Sequence, residues 1–149
     1  MRMKVPYRSL GHTIKMMQKQ IEESLYYAHD FIPRNTTAKE LFFILRQNTT
    51  YKHDPPGVEL LQSFPSMMED NYHGIPGAGD CDCFTIAAIA CCVEAGIPCR
   101  IVIVGNSKAA PTHVYAEVLD QGKWMPFDLV NPYYGHTKKY KYKHIINVY

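Results

Sequence analysis

The stretch that decides the fold covers residues 79 to 98 and reads GDCDCFTIAAIACCVEAGIP. Asp80 is a good N-cap residue and Gly96 suits the C′ position, so we expect a helix that begins at Asp80 and stops near Ala95. Its side chains are apolar almost all round, which is typical of a central, buried helix. Cys81 therefore stands where a glycine-containing turn becomes that helix. Because a helix N-terminus carries partial positive charge and N–H donors, this position favours a thiolate and supports an oxyanion.

Two further helices are predicted before this stretch. Apolar residues recur every three or four positions from about His12 to Phe31, and Pro33 ends this amphipathic helix. Thr37 to Glu40 has the form of a capping box and precedes a second apolar run. We therefore expect a shorter helix that ends near Asn48.

Turns and strands dominate the rest of the chain. Residues 51 to 79 are rich in turn-forming residues, with one helical turn expected at Glu59 to Gln62. Four strands are predicted downstream: Arg100 to Gly105, His113 to Leu119, Lys123 to Phe127 and a short last strand from His144 to Tyr149. Asp120 to Gly122 joins the second and third of these in an antiparallel hairpin. Lysine and tyrosine mix from His136 to His144, which fits an edge strand better than a nucleic-acid patch.

Composition excludes several functional classes. The chain has 149 residues, of which 46% are hydrophobic and 20% are charged, so we expect a single domain over residues 1–149 with a helical part over residues 1–50. A formal net charge of +2 is too small to require a nucleic-acid or membrane partner. No apolar run approaches the length of a membrane span, and no signal peptide is visible. We therefore expect a cytoplasmic protein, of the source cell or of the host cell if a phage encodes it. The oligomeric state is left open.

Five cysteines stand at positions 81, 83, 91, 92 and 99. Their odd number and their crowding along one predicted helix favour reduced thiols over a disulfide framework, as in the cytoplasm. Structural zinc usually needs about two to four residues between paired cysteines, whereas one residue separates Cys81 from Cys83. We therefore expect neither a metal nor a cofactor. Cys91 and Cys92 are interpreted as small apolar residues in a helix interface.

Three residues have the chemistry of a cysteine nucleophile and its helpers. Such catalysis needs a thiolate, an imidazole that holds its proton and a third group that orients the imidazole. Cys81 begins a helix, His113 opens a predicted strand, and Asp128 closes the next strand. Antiparallel neighbours place the start of the first strand opposite the end of the second, so His113 and Asp128 are expected at the same end of the hairpin.

These residues lie in motifs that resemble the transglutaminase-like group of the papain-like cysteine-enzyme superfamily, of the small bacterial and phage type. The matching motifs are Gly79-Asp-Cys81, Ala95-Gly-Ile-Pro-Cys-Arg100, His113-Val-Tyr-Ala-Glu-Val118 and Gly122-Lys-Trp-Met-Pro-Phe-Asp128. The resemblance implies an α+β fold in which a nucleophile helix packs on a small antiparallel sheet, together with amino-terminal helices. It implies Cys81 as nucleophile, His113 as general base and acid, and Asp128 as the orienting residue.

The resemblance also implies acyl-enzyme chemistry on an amide of a peptide or protein. Water and an amine are both possible acceptors, and we favour hydrolysis because no calcium loop or second-substrate module is visible in the sequence. The family uses the nucleophile's backbone N–H and an upstream side chain as oxyanion donors, for which Tyr51 and Gln62 are the candidates. The chain departs from its closest subgroup at Cys83, where an aspartate is common; this thiol is either inert or redox-active with Cys81. A non-catalytic binding or assembly protein, as in a phage or mobile-element particle, is the alternative.

Overall fold

The computed structural model describes residues 2–6, 10–53, 58–69, 75–107 and 110–148. Its helices in this part of the chain are α1 (Leu10–Phe31), α2 (Ala38–Gln47), α3 (Phe64–Met68) and α4 (Cys81–Glu94). Its strands are β1 (Arg2–Pro6), β2 (Thr50–Tyr51), β3 (Val58–Gln62), β4 (Ala78–Gly79), β5 (Cys99–Ser107), β6 (Ala110–Asp120), β7 (Lys123–Phe127) and β8 (Tyr142–Asn147). None of these helices has both the length and the apolar character needed to cross a membrane.

A four-stranded antiparallel sheet with the order β7-β6-β5-β8 forms the carboxy-terminal half. Helix α4 packs on one face of β5 and β6, and α1 packs against α4. Alternate residues of β5 and β6 point into this core, among them Ile101, Ile103, Val114 and Ala116. The expected α+β architecture, with a buried helix on a small antiparallel sheet and helices from the amino-terminal part, is confirmed.

Helix α4 begins and ends where its capping residues require. The Asp80 side chain accepts a hydrogen bond of 3.1 Å from the Asp82 N–H, so it caps the first turn. At the other end Gly96 has φ 73°, and its N–H donates to the carbonyl oxygen of Val93 at 3.1 Å. The Ile97 N–H then reaches the Cys92 carbonyl oxygen at 2.8 Å, which completes a Schellman motif. Both expected limits of this helix are confirmed.

The two amino-terminal helices also agree with their sequence signals. Thr37 caps α2: its hydroxyl oxygen accepts from the Glu40 N–H at 3.2 Å and donates to the Glu40 carboxylate at 3.0 Å. The N-cap half of the expected capping box is thus present, since the hydroxyl oxygen satisfies an N–H group that lacks an intrahelical partner. Helix α1 ends at Phe31, two residues before Pro33.

The helical turn expected at Glu59 to Gln62 was wrong. These residues belong to β3, which pairs antiparallel with β1 in the register Arg2↔Gln62 to Pro6↔Val58. The helical turn follows as α3, which Ser63 caps by accepting from the Ser66 N–H at 3.4 Å. The short apolar run was ambiguous by itself, and its partner strand lies too far away in the sequence to be recognised from local patterns.

The edge strand expected over His136 to His144 begins later, at Tyr142. Strands β7 and β8 lie at opposite edges of the sheet, so the connection between them must cross it. Tyr140 packs against Val102, Val104 and Tyr115 on the face away from α4. The segment before Tyr142 therefore covers this face of the sheet, while β8 forms the sheet edge next to β5. Tyr149, the expected end of the last strand, lies outside the described residues.

Candidate active site

The turn before Cys81 is held by close backbone contacts that need glycine. At Gly77, φ is 82° and a Cβ atom would collide with the carbonyl oxygen of Asn48. At Gly79 a Cβ atom would lie 2.7 Å from the Cβ of Cys83. β4 pairs with β2 in parallel, and the Lys52 N–H donates to the Gly79 carbonyl oxygen at 2.8 Å. The backbone leading into Cys81 is therefore held in place by close packing against α4 and by hydrogen bonds to the segment of β2 and Lys52.

Thr85 connects the first turn of α4 to the strand that supplies the histidine. Its hydroxyl lies 2.7 Å from the carbonyl oxygen of Cys81 and 3.3 Å from that of Val114. The residue is buried. Since Val114 follows His113 directly, this hydroxyl holds the amino-terminal end of α4 against the part of β6 that carries His113.

His113 and Asp128 form a hydrogen-bonded pair, with 2.8 Å between Nε2 and Oδ2. Their side chains are 14% and 7% exposed, so the contact is largely shielded from water. Asp128 also accepts from the Val130 N–H at 3.2 Å and from the Thr137 hydroxyl at 3.3 Å. A carboxylate with three donors around it is fixed in one orientation.

The bond to Asp128 determines the tautomer of the neutral His113 ring. A carboxylate accepts, so Nε2 carries the proton and Nδ1 keeps its lone pair. The ring is stacked with Tyr115 and Tyr140, at centroid distances of 5.7 and 6.3 Å. These two tyrosines limit the rotation of the imidazole.

Two cavities meet at His113. A small cavity of about 160 Å³ lies between α1, α4, β5 and β6, and Cys81, Asp82 and His113 line it together. A wider cleft of about 580 Å³ lies on the side of Asp128, where Lys138 and Tyr140 contribute to its wall. The imidazole thus borders both the space around the thiol and an open cleft large enough for part of a substrate.

The electrostatic surroundings of Cys81 differ from the sequence-based expectation. Burial first, and then the carboxylates of Asp82 and Asp80, raise the pKa of the Cys81 thiol well above its ordinary value, against a lowering by a hydrogen bond from the Val114 backbone. A helix start alone favours the thiolate, but here desolvation and two like charges oppose it. The surroundings of the Cys81 sulfur therefore favour the neutral thiol over the thiolate.

The second thiol of the motif belongs to the core. Cys83 is 1% exposed and packs beneath Gly79, and burial raises the pKa of its thiol. Residues two apart on a helix lie on nearly opposite sides, so Cys83 points away from the cavity of Cys81. Its small side chain matches the close approach of the Gly79 backbone, which gives it a packing role.

The two candidate oxyanion donors lie at different depths. Gln62 is fully buried, and its amide nitrogen lies 3.3 Å from the Ala78 carbonyl oxygen and 3.8 Å from the Cys83 sulfur. Tyr51 is 37% exposed, and its ring meets that of Phe84, in the first turn of α4, edge-on at 5.9 Å. Tyr51 thus lies nearer to solvent, beside the first turn of α4. Gln62 contacts the same region from the buried side, through Ala78 and Cys83.

Several residues of the site carry no recognisable sequence motif. Thr13 and Met17 of α1 line the cavity of Cys81, and Thr85, Thr137 and Tyr140 hold the helix, the carboxylate and the imidazole. Only the spacing of Thr13 and Met17, one helical turn apart, marked them as neighbours. In the described part of the chain, no group of three or more His, Cys, Asp or Glu side chains is arranged to hold a metal ion.

Comparison with known proteins identifies the family. The sequence model of the transglutaminase-like superfamily matches residues 32–129, which include Cys81, His113 and Asp128. The chain belongs to the transglutaminase-like superfamily. Helix α1, whose residues line the cavity beside Cys81, lies outside the matched region. A comparison with curated proteins gives no significant match.

Solved structures resemble this transglutaminase-like chain at low sequence identity. A candidate protease from Parabacteroides distasonis is 15% identical with a TM-score of 0.56, and the match covers 80% of this chain and 26% of that one. A candidate cysteine protease from Cytophaga hutchinsonii is 20% identical with a TM-score of 0.45, covering 77% and 37%. A TGase is 19% identical with a TM-score of 0.43, covering 88% and 35%. The chain spans well under half the length of each.

Proposed function

We propose that this protein is a cysteine-dependent enzyme that cleaves or transfers the acyl group of a peptide-type amide. The observation that carries the proposal is the bond of 2.8 Å between His113 Nε2 and Asp128 Oδ2, with Cys81 in a cavity that the same imidazole borders. Cys81 is the nucleophile, His113 is the general base and acid, and Asp128 orients the imidazole. Membership of the superfamily supports these roles.

The first half-reaction forms a thioester. His113 Nδ1 takes the proton from the Cys81 sulfur, which attacks the amide carbon, and the resulting imidazolium is stabilised by Asp128. This transfer is needed because the pKa of the Cys81 thiol is raised. His113 then returns the proton to the nitrogen of the leaving amine. The C–N bond breaks, and the acyl group stays on sulfur.

The second half-reaction releases the acyl group to an acceptor. His113 removes a proton from water or from an amine as it attacks the thioester, and then returns that proton to the Cys81 sulfur. Hydrolysis is the preferred outcome, since the cleft of about 580 Å³ beside His113 and Asp128 is open to solvent and admits water without any further binding module. An amine that fits the same cleft would give acyl transfer.

The oxyanion of both half-reactions needs donors beside Cys81. The Cys81 backbone N–H lies in the first turn of α4, where no intrahelical acceptor exists for it. We assign the second donor to Tyr51, because it lies beside this turn and is partly exposed, while Gln62 is fully buried. Loss of one such donor typically lowers kcat by about 10²- to 10³-fold.

We also propose a reducing compartment such as the cytoplasm. All five cysteines are thiols in the structure, and the nucleophile must stay reduced to act.

The proposed function is tested by the reactivity of Cys81. The full chain is treated with iodoacetamide over a range of pH values, and the Cys81 adduct is quantified by peptide mapping. We expect His113→Ala to slow this alkylation strongly, while Cys83→Ala, which removes the neighbouring core thiol, leaves it unchanged. Slow labelling that does not respond to His113→Ala would contradict an active triad and favour the non-catalytic alternative.

Substrate class is then resolved with a panel of peptide amides and glutamine-containing peptides, with and without an added amine. Release of free acid indicates hydrolysis, and incorporation of the amine indicates transfer. A thioester on Cys81, seen in the intact mass of the protein, is expected in either case. Its absence in the presence of a turned-over substrate would exclude the acyl-enzyme route.

A further inference from the structure

The loop that follows β7 is bonded to a helix 83 positions earlier in the chain. Arg46 stands in the last turn of α2, and its Nη1 donates to the carbonyl oxygen of Leu129 at 2.9 Å. Leu129 directly follows Asp128 and is buried in the core. A buried backbone carbonyl group needs a hydrogen-bond partner, and here that partner is a cation from a distant helix.

An aromatic contact fixes α2 against the same part of the chain. The ring of Phe42 meets the ring of Phe127 edge-on, with 5.4 Å between the centroids, and both side chains are buried. Phe42 lies one helical turn before Arg46, so the two project from the same side of α2. Phe127 directly precedes Asp128. The backbone that carries Arg46 is therefore held at a fixed position beside the residues that follow β7.

The peptide unit between Leu129 and Val130 is bonded at both of its ends. Its carbonyl oxygen accepts from Arg46, and its N–H, on Val130, donates to Oδ1 of Asp128 at 3.2 Å. The Asn131 N–H donates to the Asp128 carbonyl oxygen at 2.9 Å, which closes a turn around this unit. The C=O and N–H of a trans peptide point in opposite directions. Holding the oxygen therefore directs the N–H at the carboxylate.

A continuous series of hydrogen bonds thus runs from a guanidinium to the imidazole. It passes from Arg46 through the peptide unit to Oδ1 of Asp128, and Oδ2 of the same carboxylate lies 2.8 Å from His113 Nε2. A hydrogen bond from a charged donor is stronger than one from a neutral donor, and bonds in series polarise one another. The charge of Arg46 therefore strengthens the Val130 N–H as a donor to the carboxylate.

We propose that Arg46 is a positioning residue that holds the Asp128 carboxylate toward His113. The guanidinium fixes and polarises the peptide unit after Leu129, this unit orients the carboxylate, and the carboxylate orients the imidazole. The expected effect on turnover rests on the proposed function. The expected effect on the hydrogen bond between His113 and Asp128 does not, because that bond exists without a substrate.

The first measurement follows the proton between His113 and Asp128 by proton NMR of the full chain. Because both side chains are largely shielded from water, this proton should give a slowly exchanging resonance, which is assigned by its loss in His113→Ala. Arg46→Met removes the charge and the donor, so the exchange of this proton with water should become roughly tenfold faster. Arg34→Met, which removes an exposed arginine between α1 and α2, should leave the exchange unchanged.

The second measurement is steady-state kinetics on an active substrate. Arg46→Met should lower kcat by roughly tenfold with little change in KM, since Arg46 is not among the described residues that line the cavity or the cleft. Arg46→Lys should recover most of this loss, because the contact through Nη1 needs one cationic N–H donor. Thr49→Val, which removes a bond to the Leu45 carbonyl oxygen at the same end of α2, is the control for lost stability.

The outcomes separate the positioning role from the proposed function. Faster exchange in Arg46→Met that Arg46→Lys reverses supports the positioning role, even if no amide is turned over. Exchange that is equal in the wild-type protein and Arg46→Met, or that accelerates as much in Thr49→Val, would overturn it. A wild-type protein without the resonance would do the same. Arg46→Gln, which keeps a neutral donor, should show a smaller increase and replaces Arg46→Met if that variant does not fold.

Discussion

His113 Nε2 lies 2.8 Å from Asp128 Oδ2 across the end of the hairpin formed by β6 and β7. The register pairs Ala116 with Phe127, so Asp128 follows the last paired position and faces the region of Tyr115. His113 is two residues before Tyr115 and therefore projects from the same face as Asp128. The pair is a diagonal contact of the sheet, and the strand register sets its geometry.

The first prediction concerns this contact. Asp128→Asn should lower kcat by about 10²- to 10⁴-fold, because an amide can stabilise the wrong tautomer of His113 and cannot balance the imidazolium. Thr137→Val, which removes only one donor to the same carboxylate, should have a much smaller effect. Steady-state kinetics on an active substrate measure both. Equal losses in the two variants would show that orientation of Asp128, and not its charge, is what matters.

The second prediction uses the raised pKa of the Cys81 thiol. Since burial, Asp82 and Asp80 all oppose the thiolate, alkylation of Cys81 should keep rising with pH beyond the range in which an ordinary thiol has levelled off. Asp82→Asn removes one like charge, lowers the pKa of the thiol and should speed alkylation at neutral pH. Asp30→Asn, on the exposed side of α1, is the control; a similar increase there would refute the local effect.

The third prediction concerns Thr85, a positioning residue. Thr85→Val keeps the shape but loses the hydroxyl bond that holds Cys81 near Val114. We expect a loss of about 1 kcal/mol in the free energy of unfolding, together with a fall in kcat. Thr49→Val removes a comparable bond to the Leu45 carbonyl oxygen at the end of α2. Thr49→Val should lower the free energy of unfolding by a similar amount with no change in kcat. If kcat also falls in Thr49→Val, the effect of Thr85→Val on kcat reflects lost stability and not positioning.

The fourth prediction concerns Gly79. A methyl group there would lie 2.7 Å from the Cys83 Cβ and 3.0 Å from the Met67 sulfur. Gly79→Ala should therefore lower the free energy of unfolding by about 1–3 kcal/mol. Gly11→Ala, in α1 with nothing within 4 Å of the added carbon, should instead stabilise by about 0.5–1 kcal/mol. Urea unfolding measures both changes, and a tolerated Gly79→Ala would mean that the turn can move away from α4.

The fifth prediction concerns alkaline pH. Burial first, then Glu117 and Asp128, raise the pKa of Tyr115 from 10.0 to about 12. The folded protein thus keeps this proton at pH values where the unfolded chain loses it. The stabilisation is complete below about pH 10 and is lost as the pH rises through about 12. Tyr115→Phe should make the decline in unfolding free energy shallower over this range. Tyr26→Phe, at a side chain that is 84% exposed, should leave the decline unchanged.

Local signals predicted the helices because their causes are local. The N-caps at Thr37 and Asp80 and the left-handed Gly96 each act within a few residues of the chain. The pairing of β3 with β1 could not be predicted in the same way. It joins segments more than fifty positions apart, and neither segment has a pattern that requires the other.

The amino-acid sequence by itself determined which residues make up the candidate site: a thiol at a helix start, a histidine that opens one strand and an aspartate that closes the next. It did so because the residue types are given directly, and because helix starts and strand alternation depend only on residues that are close in the sequence. Tertiary structure decided what those groups experience. Packing placed the partly buried Cys81 near two carboxylates and so raised the pKa of its thiol, and it brought residues of α1 into the wall of the cavity beside Cys81. Desolvation and contact between distant segments exist only once the chain has folded.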